Sequence, residues 1–217
     1  MLHSTKRKLA LSGWLKQHNW NEYDTPLKLQ KFLLFYELFS KIDQEETDFY
    51  RLRGYERGPV FSTVWGDYTK ERADFDKRAE EEYNNSSFIN DNRAKLSAFI
   101  VRVLPDKELS ELTHQLNLWG KKKERIEAKE HNVPLNEEDF NEHDKNMMLS
   151  LSTMFPPELI ENSVVHCIGD KCFVFDTEDA RTLTERDFDV LAELSLYHDL
   201  HNPVYVEKDD DGRLIVD

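Results

Sequence analysis

Histidine and cysteine are the residue types in this sequence whose positions could support metal chemistry. His166 precedes Cys167, His198 and His201 are three residues apart, and Cys172 is the second cysteine of the chain. Imidazole and thiolate groups are the usual ligands of zinc. Their spacing here matches neither a zinc finger nor a zinc ribbon. The sequence therefore predicts no metal and no cofactor, and two cysteines that stay reduced and structural.

Motifs of common enzyme classes are missing from the chain. It contains no Gly-x-Ser-x-Gly, no nucleotide-binding glycine loop and no His-Glu-x-x-His. Those patterns position a nucleophile, a phosphate or a zinc ion. We therefore expect a protein that is not an enzyme. A metal-dependent hydrolase that uses His114, His166, Cys167 or His198 is the last of three functional hypotheses.

Charge is distributed unevenly along the 217 residues, whose formal net charge is −14. Residues 1–150 hold 27 acidic and 24 basic side chains, whereas residues 151–217 hold 16 acidic and 5 basic ones. A strongly acidic last third opposes binding to nucleic acid, because phosphates attract basic surfaces. We therefore expect a protein partner with a basic surface, and no direct contact with nucleic acid.

Hydropathy predicts no membrane segment. No part of the sequence approaches the roughly 18 consecutive apolar residues that a transmembrane helix requires. The basic residues 1–8 are followed by a segment that is too short and too polar for a secretory signal peptide. We therefore expect a cytoplasmic protein that makes no contact with a membrane.

A long central helix is the strongest element that the pattern predicts. Thr25 is a suitable N-cap, Pro26 occupies the favoured first position, and no further helix breaker follows up to Ile42. Apolar side chains cover most of its circumference, as expected for a helix that other helices surround. The other predicted elements before residue 155 are helices over residues 5–18 and 71–85, a strand within residues 49–55, helices capped by Ser62 and Asp91, a helix from Asp106, and a helix opened by a capping box of Asn136 and Asp139.

The tandem Pro156-Pro157 is the best boundary in the chain, and the pattern changes beyond it. Residues 164–168 and 171–175 predict two strands joined by a tight Gly169-Asp170 turn. A helix follows, opened by a capping box of Thr184 and Asp187. A second hairpin is predicted over residues 203–216, with Asp210-Asp211-Gly212 as its turn.

The predicted fold class is therefore α+β with two domains. Residues 1–155 form a predominantly helical N-terminal domain with a short strand or extended segment. Residues 158–217 form a small, acidic module with the order β-hairpin, helix, β-hairpin.

Three sequence blocks stand out from this background. They are LKLQKFLLFY at residues 27–36, YERGPV at residues 55–60, and LTHQ at residues 112–115 with a tryptophan shortly after it. Gly58-Pro59 allows a tight reversal after an extended strand. Within a helix, Thr113 and His114 are expected to hydrogen-bond the backbone or a neighbouring loop, and Trp119 is expected to cover the core of the domain. The candidate site residues in these blocks are Gln30, Tyr36, Gly58, Pro59, Val60, Thr113, His114 and Trp119.

Together the three blocks resemble the Panacea domain family, a phage-associated domain of antitoxins and of SocA-like proteolytic adaptors. In that family a Leu-Lys-Leu-Gln-Lys helix, a Tyr-Gly-Pro-Val turn and a Leu-Thr-His segment followed by a Trp are recurrent. The resemblance covers about residues 5–150. Two departures are visible: Glu56-Arg57 separates Tyr55 from Gly58, and Gly120 with two lysines follows the Trp.

The resemblance implies a non-enzymatic antitoxin of a toxin–antitoxin system, which neutralises its toxin by direct binding, or an adaptor that delivers a partner to a protease. His114 or Trp119 would then be the residue that also lines a partner groove. The acidic region from residue 158 lies outside the resemblance, and its charge would complement a basic toxin or host enzyme. A homo-oligomer is compatible with the sequence.

The alternative hypothesis comes from charge alone. An acidic, phage-encoded inhibitor could act as a DNA mimic, because spaced carboxylates imitate phosphates toward a host nucleic-acid-binding protein.

Overall fold

The computed structural model describes residues 1–209 and 211–216, and it confirms an α+β fold whose N-terminal part is mainly helical. The helices before residue 156 are α1 (Lys6–His18), α2 (Trp20–Tyr23), α3 (Pro26–Ile42), α4 (Ser62–Lys70), α5 (Arg72–Asn84), α6 (Asp91–Val103), α7 (Asp106–His114), α8 (Asn117–Gly120), α9 (Lys123–Glu127) and α10 (Glu142–Met154). The strands of this part are β1 (Leu52–Tyr55), β2 (Gly58–Phe61) and β3 (Val133–Pro134).

Helix α3 is the centre of this part, as the pattern predicted. Phe32, Leu33, Phe35 and Leu38 are completely buried, and α1, α2, α4, α6 and α7 all contact the helix. A helix that is apolar on nearly every side can be stable only when neighbours cover it in this way. Thr25 occupies the N-cap position, although its hydroxyl makes no capping hydrogen bond.

Two predicted N-caps are wrong by one residue. Ser62 is the first residue of α4, and its hydroxyl donates to the main-chain oxygen of Arg51 at 3.1 Å. Asn90 rather than Asp91 caps α6, because its side-chain oxygen accepts from the Arg93 amide at 3.2 Å. Asn and Asp are both good caps, so the sequence alone does not decide between Asn90 and Asp91. At α4 the N-cap residue is Phe61, whose side chain makes no capping hydrogen bond.

The predicted capping box of Asn136 and Asp139 is also wrong. Residues Glu137–Asp139 form a single 3₁₀ turn, and α10 begins only at Glu142. Asn141 caps that helix through a 3.1 Å hydrogen bond from the Asp144 amide.

The strand predicted within residues 49–55 is shorter than expected and belongs to a small antiparallel sheet. Arg51 has a positive φ of 57°, so the extended strand β1 begins only at Leu52. The strand order is β2-β1-β3. Gly54 of β1 faces Pro59 of β2 and also Val133 of β3.

The part after residue 156 has the predicted order of hairpin, helix and hairpin. Its elements are α11 (Pro157–Asn162), β4 (Ser163–Ile168), β5 (Lys171–Asp176), α12 (Thr177–Ala180), α13 (Glu185–Leu194), β6 (Val204–Lys208) and β7 (Leu214–Val216). The Thr184–Asp187 capping box is present. The sheet order is β4-β5-β6-β7, and β5 and β6 are parallel because the two helices between them return the chain. In the predicted second turn, Asp210 lies outside the described residues.

Strand β5 of the C-terminal sheet is buried on both faces. Successive side chains of a strand point to opposite faces, and in β5 Val174 packs into the core that contains Phe99 and Phe155 of the N-terminal part. Phe173 and Phe175 instead pack in a second, small core with Leu191 and the valines of β6. The boundary at residues 156–157 therefore separates two patterns of secondary structure that share one continuous core.

The expectation of two reduced cysteines is wrong. Cys167 and Cys172 are direct partners across the β4–β5 hairpin, with their Cα atoms 4.0 Å apart, and they form a disulfide. The Cys172 amide donates to the side chain of Asn202 at 2.7 Å. Because the Cys172 amide bonds Asn202, it makes no ladder hydrogen bond. Opposite residues of an antiparallel hairpin lie closer together at positions without ladder hydrogen bonds, and the two Cβ atoms are then near each other.

Over the described residues, no helix combines the length and the apolar character that crossing a membrane requires.

Candidate functional site

The β1–β2 hairpin is where the three sequence blocks meet. Tyr55 pairs with Gly58, so Glu56 and Arg57 are the two residues of the turn. The insertion that departs from the family pattern is thus the hairpin turn itself. Gly58 has a φ of +98°, a conformation that residues with a side chain rarely adopt.

Lys31 of the first block contacts this turn from α3. Its Nζ donates a 2.7 Å hydrogen bond to the main-chain oxygen of Arg57. A Cβ atom placed on Gly58 would lie 2.3 Å from Lys31 Nζ and 2.5 Å from Thr113 Oγ1. Gly58 is therefore required both by its backbone conformation and by the close approach of the first and third blocks.

Gln30 joins α3 to the second strand of the hairpin. The side chain is almost fully buried, and its Oε1 accepts a 2.8 Å hydrogen bond from the amide of Phe61. A buried main-chain amide without a partner would cost about 1–3 kcal/mol. Gln30 therefore fixes the position of β2 on α3.

The third block contacts the other strand of the hairpin. The buried indole of Trp119 donates from Nε1 to the main-chain oxygen of Tyr55 at 3.1 Å. The His114 ring stacks on the Trp119 ring, with centroids 4.0 Å apart. Thr113 is completely buried, and its hydroxyl donates back to the main-chain oxygen of Leu109 at 3.0 Å. These contacts confirm that Trp119 covers the core.

His114 has a buried ring nitrogen without a partner. Among the described residues nothing forms a hydrogen bond with its Nε2. Burial, followed by the nearby charge of Lys31, lowers the pKa of the imidazole below its ordinary value. The ring is therefore neutral near pH 7.

Lys31 is the most unusual charged residue of this region. It is 1% exposed, and burial lowers the pKa of its amine to about 7, while Asp106 opposes that shift. No carboxylate of the described residues forms an ion pair with it. Lys8 provides the contrast, because that equally buried amine is paired with the carboxylate of Glu37. A buried charge normally has such a partner.

A cleft of about 610 Å³ opens beside the hairpin, and we call it the hairpin cleft. Gln30, Lys31, Pro59 and Val60 all line it. Its larger apolar and aromatic lining residues are Leu27, Tyr55, Trp65 and Ile126. Trp65 is 45% exposed and Tyr55 is 39% exposed. Aromatic side chains that stay this accessible beside a concave apolar wall are typical of a binding surface.

The structure brings together seven of the eight candidate site residues. Tyr36 lies apart from them: it is fully buried, its hydroxyl accepts from the Asn90 amide at 2.9 Å, and the guanidinium groups of Arg7 and Arg93 lie over its ring. It is therefore a core residue of α3 and does not line the hairpin cleft.

Gly58, Thr113, His114 and Trp119 also do not line the hairpin cleft. His114 lines a second, larger cleft of about 1420 Å³ between α7 and the C-terminal part. Arg57 borders both clefts.

Lys31 and Trp65 line the hairpin cleft but are not among the residues predicted from the sequence. Lys31 lies inside the first block, but a lysine on a helix is normally exposed. Trp65 lies on α4, outside the three blocks. The position of Lys31 in the sequence does indicate its burial, because a charged residue within a helix that is apolar on all sides must be buried.

The side chains considered for metal binding do not come together. Cys167 is in the disulfide with Cys172. The described part of the chain contains no group of three or more histidine, cysteine or acidic residues arranged to hold a metal ion.

Comparison with protein-family models, with curated proteins and with solved structures gives no match to this chain.

Proposed function

We propose that this chain is a non-enzymatic interaction protein that binds a partner protein directly, as the antitoxin of a toxin–antitoxin system does. The observation that carries the proposal is the meeting of three separate sequence blocks at one hairpin beside an apolar cleft. Each of the blocks resembles the Panacea family at the level of sequence. Their residues also make mutual contacts, which is what a shared structural and functional unit requires.

The shape of the hairpin cleft supports protein binding. Residues at the centre of protein interfaces are enriched in tryptophan, tyrosine and arginine. Trp65, Tyr55 and Arg57 all line the cleft, and all three are exposed. A partner that inserts apolar side chains would bury the two aromatic rings without any rearrangement of the core.

The acidic C-terminal region would supply a second, electrostatic contribution. Helix α13 carries Glu185, Asp189 and Glu193 on its exposed surface. Carboxylates at an exposed rim accelerate association with a basic partner and make the rate depend on salt. The proposed partner therefore has a basic surface, as a toxin or a host enzyme can have, and the proposed compartment is the cytoplasm.

Co-expression tests the proposed function. The full-length tagged chain is expressed with the product of the adjacent open reading frame, and cell growth and co-purification are both measured. The proposal expects a neighbour that stops growth alone, permits growth with this chain, and co-purifies with it in a fixed ratio. Growth arrest that this chain does not relieve, with no co-purification, would contradict the antitoxin function.

The same experiment distinguishes the adaptor function from inhibition by occlusion. An adaptor lowers the amount of its partner only in cells that contain the protease. Occlusion leaves the amount of the partner unchanged while its toxicity disappears.

A second candidate function is DNA mimicry by the acidic region, which holds 16 acidic and 5 basic side chains from residue 151 onward. Of those cations, Lys208 is already paired with Asp187 at 2.9 Å. A mimic must compete with duplex DNA for its target, whereas an antitoxin that uses the hairpin cleft binds its partner equally well when DNA is present.

A further inference from the structure

The buried amine of Lys31 has unused hydrogen-bonding capacity. An ammonium group has three N–H donors, and among the described residues the Lys31 amine donates only to the main-chain oxygen of Arg57. It has no ion pair there, although the side chain is 1% exposed and lines the hairpin cleft. Burial without a counter-ion favours the neutral amine, and a ligand that supplies a carboxylate would stabilise the ammonium form.

We propose that the hairpin cleft binds a segment of the partner protein that carries a carboxylate between apolar side chains, and that Lys31 forms the ion pair with this carboxylate. This inference rests on the proposed function, because it identifies the chemistry of the partner at the same site.

The walls of the cleft determine which side chains surround the carboxylate. Leu27, Val60 and Ile126 offer aliphatic surface, and the rings of Trp65 and Tyr55 offer flat aromatic surface. Apolar side chains that flank the carboxylate would bury these groups and exclude water from the ion pair. An ion pair in a dry site is stronger than the same pair in water.

Gln30 is placed to assist at the same position. Its Oε1 is occupied by the amide of Phe61, which leaves the Nε2 group as a donor. Gln30 and Lys31 both line the cleft, so this amide can donate to the same bound segment.

The charges around Lys31 explain why the cleft would accept one carboxylate rather than an acidic polymer. Arg57 and Lys129 line the cleft, but so do Glu56, Asp106 and Glu130. The rim is therefore close to neutral, and the whole chain carries −14. The negative charge of the chain would repel a polyanion, whereas a single carboxylate would gain an ion pair with the buried Lys31 amine.

The chemistry is tested on the full chain with short blocked peptides as probes. Lysine is labelled with ¹³C at Cε, and the Lys31 signal is assigned by its absence from the K31M spectrum. The probes are acetyl-Leu-Glu-Leu-amide, the matched acetyl-Leu-Gln-Leu-amide, and acetate. The proposal expects the Glu peptide to shift the Lys31 signal and to raise the pH at which it titrates, with a much smaller effect of the Gln peptide.

Three outcomes of this titration would overturn the inference. Equal effects of the Glu and Gln peptides, or no effect of either one on Lys31, would show that Lys31 does not pair with a carboxylate. An effect of acetate as large as that of the Glu peptide would identify a small-anion site in place of a docking site. The pH readout is interpreted with Arg57, Asp106 and His114 unchanged, since Lys31 contacts Arg57 and lies close enough to Asp106 and His114 for their charges to interact.

Binding of the co-purified partner tests the same inference in the complex. We expect K31M to bind the partner about tenfold more weakly or worse. The matched control is K28M, because Lys28 is on the same helix but does not line the hairpin cleft. K31M that binds as tightly as the unaltered chain would contradict the inference while the proposed function stands. Failure of the unaltered chain to bind any partner would contradict the proposed function instead, and the peptide titration would still give its own answer.

Discussion

The Nζ atom of Lys31 donates a 2.7 Å hydrogen bond to the main-chain oxygen of Arg57, and this contact joins the central helix to the hairpin turn. Because Gly58 has no side chain, Lys31 can approach the turn this closely. The contact therefore depends on Lys31 of the first block and on Gly58 of the second block. Thr113 of the third block also lies close to Gly58.

The first prediction concerns the pH dependence of stability. Burial lowers the pKa of Lys31 from 10.5 to about 7, so between these values the unfolded chain retains a proton that the folded chain releases. The cost of burying Lys31 is therefore complete below about pH 7 and declines as the pH rises toward 10.5. We expect the stability advantage of K31M over the unaltered chain to shrink by about 2 kcal/mol between about pH 7 and about pH 9.

Urea unfolding followed by circular dichroism at the two pH values measures this difference. The control is K107M, because Lys107 is exposed and its replacement changes no buried charge. An advantage of K31M that stays constant with pH would show that the Lys31 amine is not desolvated in the folded chain.

The second prediction concerns Gly58. An alanine there would have to adopt a φ of +98° and would place its Cβ 2.3 Å from Lys31 Nζ. We expect G58A to lose about 3 kcal/mol of folding stability, from backbone strain and from the displaced side chains together. The fall in urea midpoint at unchanged slope is the measurement.

Gly66 offers the matched control for that change. It lies within helix α4, and a Cβ atom there would meet nothing within 4 Å. We expect G66A to be more stable than the unaltered chain by about 0.5–1 kcal/mol. Equal losses in G58A and G66A would contradict the assigned role of Gly58.

The third prediction concerns the indole of Trp119. The W119F variant keeps an aromatic ring against His114 but removes the donor to the Tyr55 oxygen. We expect a loss of about 1 kcal/mol, because the partly buried Tyr55 oxygen loses this hydrogen bond. W65F is the control, since the partly exposed Trp65 should tolerate phenylalanine within about 0.5 kcal/mol. A W119F protein as stable as W65F would show that the hydrogen bond contributes nothing.

The sequence predicted the main elements because their signals are local. The central helix follows from Thr25-Pro26 and an uninterrupted apolar run, and the β4–β5 hairpin follows from Gly169-Asp170 between two apolar segments. The errors at Ser62 and Asp91 are errors of one residue in a helix boundary. The error at Asn136 is larger, because a 3₁₀ turn follows it and α10 begins only at Glu142.

The candidate site was only partly predictable, for a physical reason. Gln30, Gly58 and Thr113 are far apart in sequence, and their contacts depend on how α3, the hairpin and α7 pack together. Lys31 was missed because lysine has a strong preference for solvent, which only the three-dimensional surroundings override. Reduced cysteines were expected from their small number, whereas the disulfide follows from the opposite positions of Cys167 and Cys172 on the hairpin.

The affinity of the W65A variant for the co-purified partner tests the central claim most directly. The account places the partner in the hairpin cleft, where Trp65 is an exposed lining residue. It predicts that W65A binds about tenfold more weakly or worse. W20A is the matched control, because Trp20 is also an exposed tryptophan but lies on α2, outside the cleft. Unchanged affinity in W65A, or an equal loss in W20A, would contradict a partner site in the hairpin cleft.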